Sequence, residues 1–433
     1  MNNLIQPRIL KGFRDFLPNS EIQRTTLTEK ITKVYRSFGF VPIDTPVLEY
    51  TEILLRKSNG ETEKQVFRFE DNGGRDVAMR FDLTVPFARF TAEHKDEIYF
   101  PFKRYHVAKV WRGEKPQAGR YREFVQCDVD IVGSDSAASD FEILNVMKCA
   151  FKEIGVENIT IHVNHRGIFN RFLNTLGVLD KSEDILRSVD KLAKVGKDEV
   201  FKELCEYTQD EEKSSKIIEY ISSTGSFLEI LDKIESLAGG KDSDSERMRE
   251  IYMMMQASGI EQFYVLDPSI TRGLDYYTGV VYETFLNDLP SIGSVCSGGR
   301  YDNLAGLYMK EKVPGVGVSI GLDRLIAGLE QLGQTQQKGS YLDVEIYCLD
   351  AKNAIHYQKV ASELRANDIC VEVFPDAKKM AQQYAVTTAK CVPWGILISE
   401  EEIKNNTFTL KNLQTREMFA DMTVEKAVKM AKE

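Results

Sequence analysis

Four short runs rich in β-branched and aromatic residues, "KQVFRFED", "GRDVAMRFD", "FKRYHVAKVWRGE" and "YREFVQCDVDIVG", are punctuated by turns between residues 64 and 133. Runs of that texture predict strands that pair with their chain neighbours, so this stretch is committed to an antiparallel sheet. A helix precedes it: Glu21 to Phe38 carries apolar side chains at Ile22, Leu27, Ile31, Val34, Tyr35 and Phe38 and stops at Gly39. Between helix and strands lies "FVPIDTPVLEY", whose two prolines remove ladder donors and predict an edge strand or an interface segment. Ser139 to Ile154 reads as a helix and "NITIHVNH" as a further strand.

From about Gly167 to Gly259 the texture changes to charged helical segments without strand signals, and strands resume at "QFYVLD". The pattern predicts a helical module inserted into a discontinuous sheet domain. "GQTQQKGS", Gly333 to Ser340, has the composition of a linker. Beyond it "VEIYCL", "CVEVF" and "GILIS" alternate with helical segments, and a final helix starts near Val424, which predicts a small α/β domain with a mostly parallel sheet. The expected organisation is a discontinuous sheet domain over 1–332 with an insertion at about 167–259, a linker over 333–340 and a third segment over 341–433. A chain of 433 residues is too long for one ordinary core, in keeping with that division.

The 66 acidic and 56 basic residues give a net charge of -10, which excludes a uniformly basic nucleic-acid coat but leaves room for a local patch. Seven cysteines form no Cys-x-x-Cys pair, and no His stands at zinc-ligand spacing, so neither a disulfide framework nor a structural metal is expected. "MNNLIQPRIL" lacks the apolar core of a signal peptide, and no apolar run approaches membrane-spanning length. The expectation is a soluble protein of the reducing cytoplasm.

Between Lys103 and Arg122 lie seven basic residues against one acid, Glu114. The turn residues "GEKPQAG" in their midst predict a hairpin whose arginines converge on one anion, polyphosphate by the match of guanidinium to phosphate oxygens, or else a solvated basic hairpin. In "VPGVGVSIGLDRL" the glycines 315, 317 and 321 let another group lie flat on a strand, or allow a helix to pack closely on it, and Arg324 follows at the start of a helix. There is no Gly-x-x-x-x-Gly-Lys-[Ser/Thr] loop, and no Gly-x-Gly-x-x-Gly opens a helix after a strand. Phosphates would have to be held by arginines on an antiparallel sheet.

These segments resemble the class II aminoacyl-tRNA synthetases, and within that class the histidyl-tRNA synthetase family. "FVPIDTPVLEY" resembles motif 1, "VWRGEKPQAGRYREFVQ" motif 2 and "GVGVSIGLDRL" motif 3, with Asp323 where motif 3 commonly has Glu; "KGFRDFLP", "RFDLTVPFAR" and "RGLDYYTG" are specific to the histidine branch. The resemblance implies an α+β fold, a class II antiparallel sheet flanked by helices, with a C-terminal α/β domain like an anticodon-binding domain. It implies ATP-dependent activation of L-histidine to histidyl-adenylate and transfer to tRNA(His), by a homodimer with Pro46 at the interface. ATP would enter as its Mg2+ complex. Arg272 is the leading catalytic residue by this resemblance, reaching the α-phosphate together with Arg112. Glu114 would accept from the adenine amino group, Phe124 would stack on the ring, Arg324 would cover its other face and the γ-phosphate, and Arg120 would assist. Without the resemblance, Arg272 reads equally as a salt bridge to Asp275 or a helix end.

Imidazole offers one donor and one acceptor, so a selective pocket must answer both. By resemblance Asp130 and Tyr276 face the ring, Tyr277 lines the pocket, Arg272 borders it, and Asp82, Thr84 and Gln126 hold the α-amino group. Asp130 is shorter than the Glu of some relatives and is expected to reach the ring through Tyr276 or a water. From Tyr341 onward 12 basic residues face 14 acids, so the C-terminal segment has no basic excess, and RNA recognition there would depend on a local patch and unstacked bases. The competing expectation is a synthetase-like regulatory subunit of histidine biosynthesis that has lost charging.

Overall fold

The computed structural model describes residues 4–55, 60–117, 119–270, 276–335 and 338–432. The chain divides into two compact units, Met1–Arg14 with Leu27–Gln334, and Asp15–Thr26 with Thr335–Glu433.

The larger unit is built on β1 (Val41–Pro42), β2 (Phe102–Trp111), β3 (Glu123–Val132), β4 (Ile159–His165), β5 (Tyr264–Leu266), β6 (Val280–Leu286), β7 (Cys296–Tyr301) and β8 (Gly315–Gly321). They form one sheet in the order β1-β2-β3-β8-β7-β6-β4-β5. The inner pairings are antiparallel, as the closely spaced strand runs predict. Only the outermost strands join in parallel, β1 on β2 and β5 on β4. Pro42 cannot donate to a ladder, which confines β1 to two residues at the edge of the sheet. A separate three-stranded antiparallel sheet pairs Leu48–Tyr50, Asp76–Met79 and Arg68–Glu70.

One face of the large sheet is closed by the helix Ala137–Glu153, whose N-terminus Ser136 caps by accepting from Ser139 N, and by the second half of the helix Pro18–Ser37. Between β4 and β5 the chain runs through helices from Arg166–Thr175 to Ser243–Ala257. This insertion shares the sheet's core: Phe169, Phe172, Tyr220, Ile234 and Met248 are buried in one continuous cluster with Val129, Ile143 and Val163. Phe172 and Tyr220 stack at 4.5 Å. The helical segment is therefore not an appendage with its own separate core.

A buried ion network ties insertion, helix and sheet together. Asp140 accepts from Arg300 Nε at 2.8 Å and pairs with its Nη2 at 2.7 Å, while its other oxygen lies 3.2 Å from Arg247 of the helix Ser243–Ala257. Arg300 and Asp140 are both shut off from water.

The smaller unit carries a five-stranded sheet in the order Val371–Val373, Val344–Ile346, Trp394–Leu397, Phe408–Asn412, Met418–Met422. Its first three strands are parallel, as expected, but the last two form an antiparallel hairpin that sequence patterning missed. "FTLKN" and "MFADM" mix polar and apolar residues, and Met418–Met422 is an edge strand exposed along most of its length, so neither run shows a buried-strand pattern.

Removing one member of a buried ion pair strands the other charge. Asp140→Ala should destabilise the larger unit by roughly 3–5 kcal/mol, and Asp140→Ala with Arg300→Met should recover much of that loss. Thermal and urea unfolding of the two variants would check it, and a single-variant cost below about 1 kcal/mol would show the network to be dispensable.

Candidate active site

The site begins with the two-residue period of β3. Val125, Cys127, Val129 and Ile131 point into the core, so Phe124, Gln126, Asp128 and Asp130 share the opposite face. Neighbouring strands fix what stands beside them: Arg104 and His106 of β2, and Gly317 and Ser319 of β8, are in register with Asp130 and Asp128. A Cβ at Gly317 would collide with the Asp130 carboxylate, so the glycine spacing of "GVGVSIG" clears room for that side chain.

Two cavities open on this face. The first, about 190 Å3, is lined by Arg112, Arg120, Arg324, Glu114 and Phe124, all five residues that the motifs nominate for a nucleotide. Arg112 donates from Nε to Phe81 O at 3.0 Å, and its guanidinium carbon lies 5.2 Å from the Phe124 ring centroid. Arg120 pairs with Glu114 at 3.4 Å. Arg324 donates to Ser294 O at 2.7 Å; burial, with the charges of Arg120 and Arg112 nearby, lowers its pKa to about 10. Three guanidiniums around one cavity, two of them lowering the pKa of the third, call for an anionic ligand. Asp323 braces the wall, accepting from Arg14 Nη2 at 2.5 Å and from Val125 N at 2.7 Å. Arg14 also lies 3.8 Å over the Tyr121 ring, so "KGFRDFLP" supports the motif 2 hairpin. Gln117 forms the tip of that hairpin by pairing with Arg120.

The second cavity, about 250 Å3, is lined by Asp82, Thr84, Gln126, Asp130, Tyr276 and Tyr277, the described residues nominated for the amino acid. Arg112, Gln126, Ser297 and Ser319 line both cavities, so the two adjoin. Asp82 accepts from Val85 N and from the Tyr276 hydroxyl, each at 3.1 Å, and burial raises its carboxyl pKa. Asp130 lies 2.7 Å from Arg104 and accepts from the Tyr301 hydroxyl at 2.6 Å; burial raises its pKa against the pull of Arg104. The hydroxyl beside Asp130 is thus Tyr301, whereas Tyr276, expected to serve it, serves Asp82. Tyr276 stands edge-on to Tyr277 and Tyr301 at 5.0 and 5.9 Å. A side chain at Gly299 would strike the Tyr277 ring, which accounts for the small residues of "SGGRY". Gln126 donates to Ser319 Oγ at 2.7 Å, and its Oε1 is buried without a partner among the described residues.

Arg272 and its candidate partner Asp275 lie outside the described residues. Asp128, Glu283, Ser297, Tyr301 and Ser319 line the second cavity and were not singled out from sequence. For Asp128 a signal existed: it has the same alternation as Gln126 and Asp130. The serines carried none. Among the described residues no group of three or more acidic, His or Cys side chains is placed to hold a metal ion.

The family model described as histidyl-tRNA synthetase matches residues 12–325, and one described as an anticodon binding domain matches residues 343–433. A Histidine--tRNA ligase of Treponema denticola is 62% identical over 93% of this chain and 91% of its own length. One of Treponema pallidum is 53% identical over 96% of each. The crystal structure of histidyl-tRNA synthetase from Nostoc sp. PCC 7120 superposes with a TM-score of 0.90 at 29% identity, covering 99% of both chains. The chain belongs to the histidyl-tRNA synthetase family.

Because Gly317 leaves space that Asp130 occupies, Gly317→Ala should displace that carboxylate and lower the histidine-dependent rate on the order of 100-fold, the usual cost of a misplacement near 1 Å. ATP affinity should hold. Pyrophosphate exchange at varied histidine and ATP would check it; a variant impaired only in ATP use would contradict the assignment of Asp130 to the second cavity.

Proposed function

We propose that the two cavities activate L-histidine with Mg2+-ATP and pass the histidyl group to the 3′ end of tRNA(His), a histidine--tRNA ligase reaction. The observation that carries this reading is their junction. An arginine-lined cavity meets one walled by buried acceptors, and Arg112 lines both. An α-phosphate and a carboxylate would be brought together there.

In the first step the histidine carboxylate attacks the α-phosphorus, the bond to the β-phosphate oxygen breaks, and pyrophosphate leaves. Charge grows on the α-phosphate oxygens, where a preorganised guanidinium is most effective. Arg112 supplies one and Arg272 the other, while Arg324 and Arg120 hold the leaving pyrophosphate and the ring is received by Phe124 and Glu114. Asp82, Thr84 and Gln126 take the α-ammonium; the unpartnered Gln126 Oε1 supports this role. Asp130 and Tyr276 border the imidazole, with Tyr277 beside them. The complete arginine set favours charging over a purely regulatory role.

We assign catalysis to 1–332 with its insertion at about 167–259, a linker to 333–340 and anticodon binding to 341–433, the last supported by the family model over 343–433. A homodimer is supported by the exposed apolar side chains of Val41, Val47, Leu48 and Tyr50 around Pro46. No helix among the described residues is long and apolar enough to cross a membrane. With the cysteines free, the reading places the protein in a reducing cytoplasm.

Histidine-dependent pyrophosphate exchange tests the first step, and Arg272→Ala should slow it by about two to three orders of magnitude with smaller changes in ligand affinity. Absence of exchange in the unaltered protein would point to the regulatory alternative; normal exchange in the variant would remove Arg272 from catalysis. Changing the anticodon bases of tRNA(His) should leave adenylate formation untouched and weaken charging by an order of magnitude or more, since each stacked base contributes about 1–3 kcal/mol. Charging indifferent to the anticodon would exclude that role for 341–433.

A further inference from the structure

Three carboxylates, Asp82, Asp128 and Asp130, are buried in the wall of the amino-acid cavity, each no more than 2% exposed. Two have a polar neighbour at each oxygen, although Asp130 Oδ2 meets Arg104 as an ion pair and not as a hydrogen bond. Asp82 accepts from Val85 N and the Tyr276 hydroxyl, and Asp130 is held between Arg104 and the Tyr301 hydroxyl. Asp128 differs: the Ser319 hydroxyl is its one side-chain hydrogen-bond partner among the described residues, and Oδ1 has neither a hydrogen-bond donor nor an ion pair among them, although the side chain is 2% exposed and lines the cavity. Leaving a buried acceptor unmade is costly, so such an atom marks where a ligand donor belongs. Asp128 also lies midway along β3 between Gln126, which serves the α-ammonium, and Asp130.

We propose that Asp128 is a specificity-determining residue that accepts the imidazole N–H of bound histidine, while Asp130, neutralised by Arg104 and Tyr301, sets the shape and charge of the pocket around it. The proposal rests on the reading that this cavity holds histidine. It explains why, among the described residues, three buried carboxylates at this pocket stand beside one fully buried arginine, Arg104. Burial and the nearby charges of Asp130 and Asp82, opposed by Arg104 and a hydrogen bond from Ser319, raise the Asp128 pKa to about 7. His106, in register with Asp128 on β2, adds no positive charge, since burial, with Arg104 and Arg80 nearby, lowers its pKa to about 4. A carboxyl that is harder to ionise folded than unfolded contributes stability at low pH that is lost as pH rises through 7. Asp128 thus works against the fold in the neutral range, as functional residues often do.

The test is a cycle between variant and ligand. 4-Thiazolylalanine keeps the ammonium, the carboxylate and the ring nitrogen next to the attachment carbon of histidine, but carries sulfur in place of the other ring nitrogen and its N–H. The unaltered protein should use it at least about tenfold less well than histidine in pyrophosphate exchange, because the Asp128 acceptor would be left unmade. In Asp128→Asn and Asp128→Ala the KM for histidine should rise about 10–100-fold, the KM for ATP should stay within about twofold, and the preference for histidine over the analogue should shrink by at least about tenfold. Asp128→Asn should also melt higher than the unaltered protein above pH 7 in the absence of ligand. Equal loss of both ligands would move Asp128 to the ammonium or to packing and overturn the proposal. Unchanged histidine kinetics would overturn it too, and so would equal use of both ligands by the unaltered protein, even if the variants failed to fold. Lack of any histidine-dependent exchange in the unaltered protein would instead defeat the functional reading beneath it.

Discussion

The alternation of β3 is the constraint on which the site depends. Val125, Cys127, Val129 and Ile131 must be buried, and burying them leaves no freedom for Phe124, Gln126, Asp128 and Asp130. A slip of one residue in register would put three polar side chains into the core and four apolar ones into the cleft. The ladder with β2 on one side and β8 on the other opposes such a slip. Catalytic geometry is here a by-product of hydrophobic packing, and needs no separate rigid scaffold.

Charge is then sorted along the cleft. Guanidiniums predominate at the nucleotide end, with Glu114 and Asp323 among them, and carboxylates at the amino-acid end, where Arg112 and the buried Arg104 stand beside them. An excess of one sign costs stability and is relieved by ligands of the opposite sign. Structural support comes from outside the cleft. Asp323 spends both oxygens on Arg14 and the backbone of β3, and the Arg300–Asp140–Arg247 network fixes β7 against two helices. Asp323 preserves the charge of the Glu common at its position, and its bonds use that charge to hold the wall of the cavity it lines.

Much of this was legible in the sequence, for identifiable reasons. Arg112, Glu114, Arg120, Phe124 and Arg324 stand in contiguous motifs whose spacing survives folding, so they could be assigned to one cavity before it was seen. The roles of Tyr301 and Ser319 were not legible, because each meets its partner through strand pairing over long sequence separations. Arg104 reads from sequence as one of seven basic residues of a hairpin that converges on an anion or lies in solvent, yet it is the fully buried counter-ion of Asp130. A composition count cannot tell a buried charge from a solvated one. The hairpin of the smaller sheet was missed for the opposite reason: its last strand is so exposed that burial left no periodic trace.

The pairing of β3 with β8 has a consequence for how the protein is made. Their register joins Gln126 to Gly321, so roughly 190 residues, including the whole helical insertion, must leave the ribosome after β3 before its second edge is covered. At about 5–20 residues per second that interval is on the order of 10–40 s. Throughout it the β3 edge that later receives β8 has no partner, a state prone to pairing with the wrong chain. A protein of translation is thus itself exposed during translation, and its yield in the cell depends on elongation speed and on whatever shields that edge while the ribosome finishes.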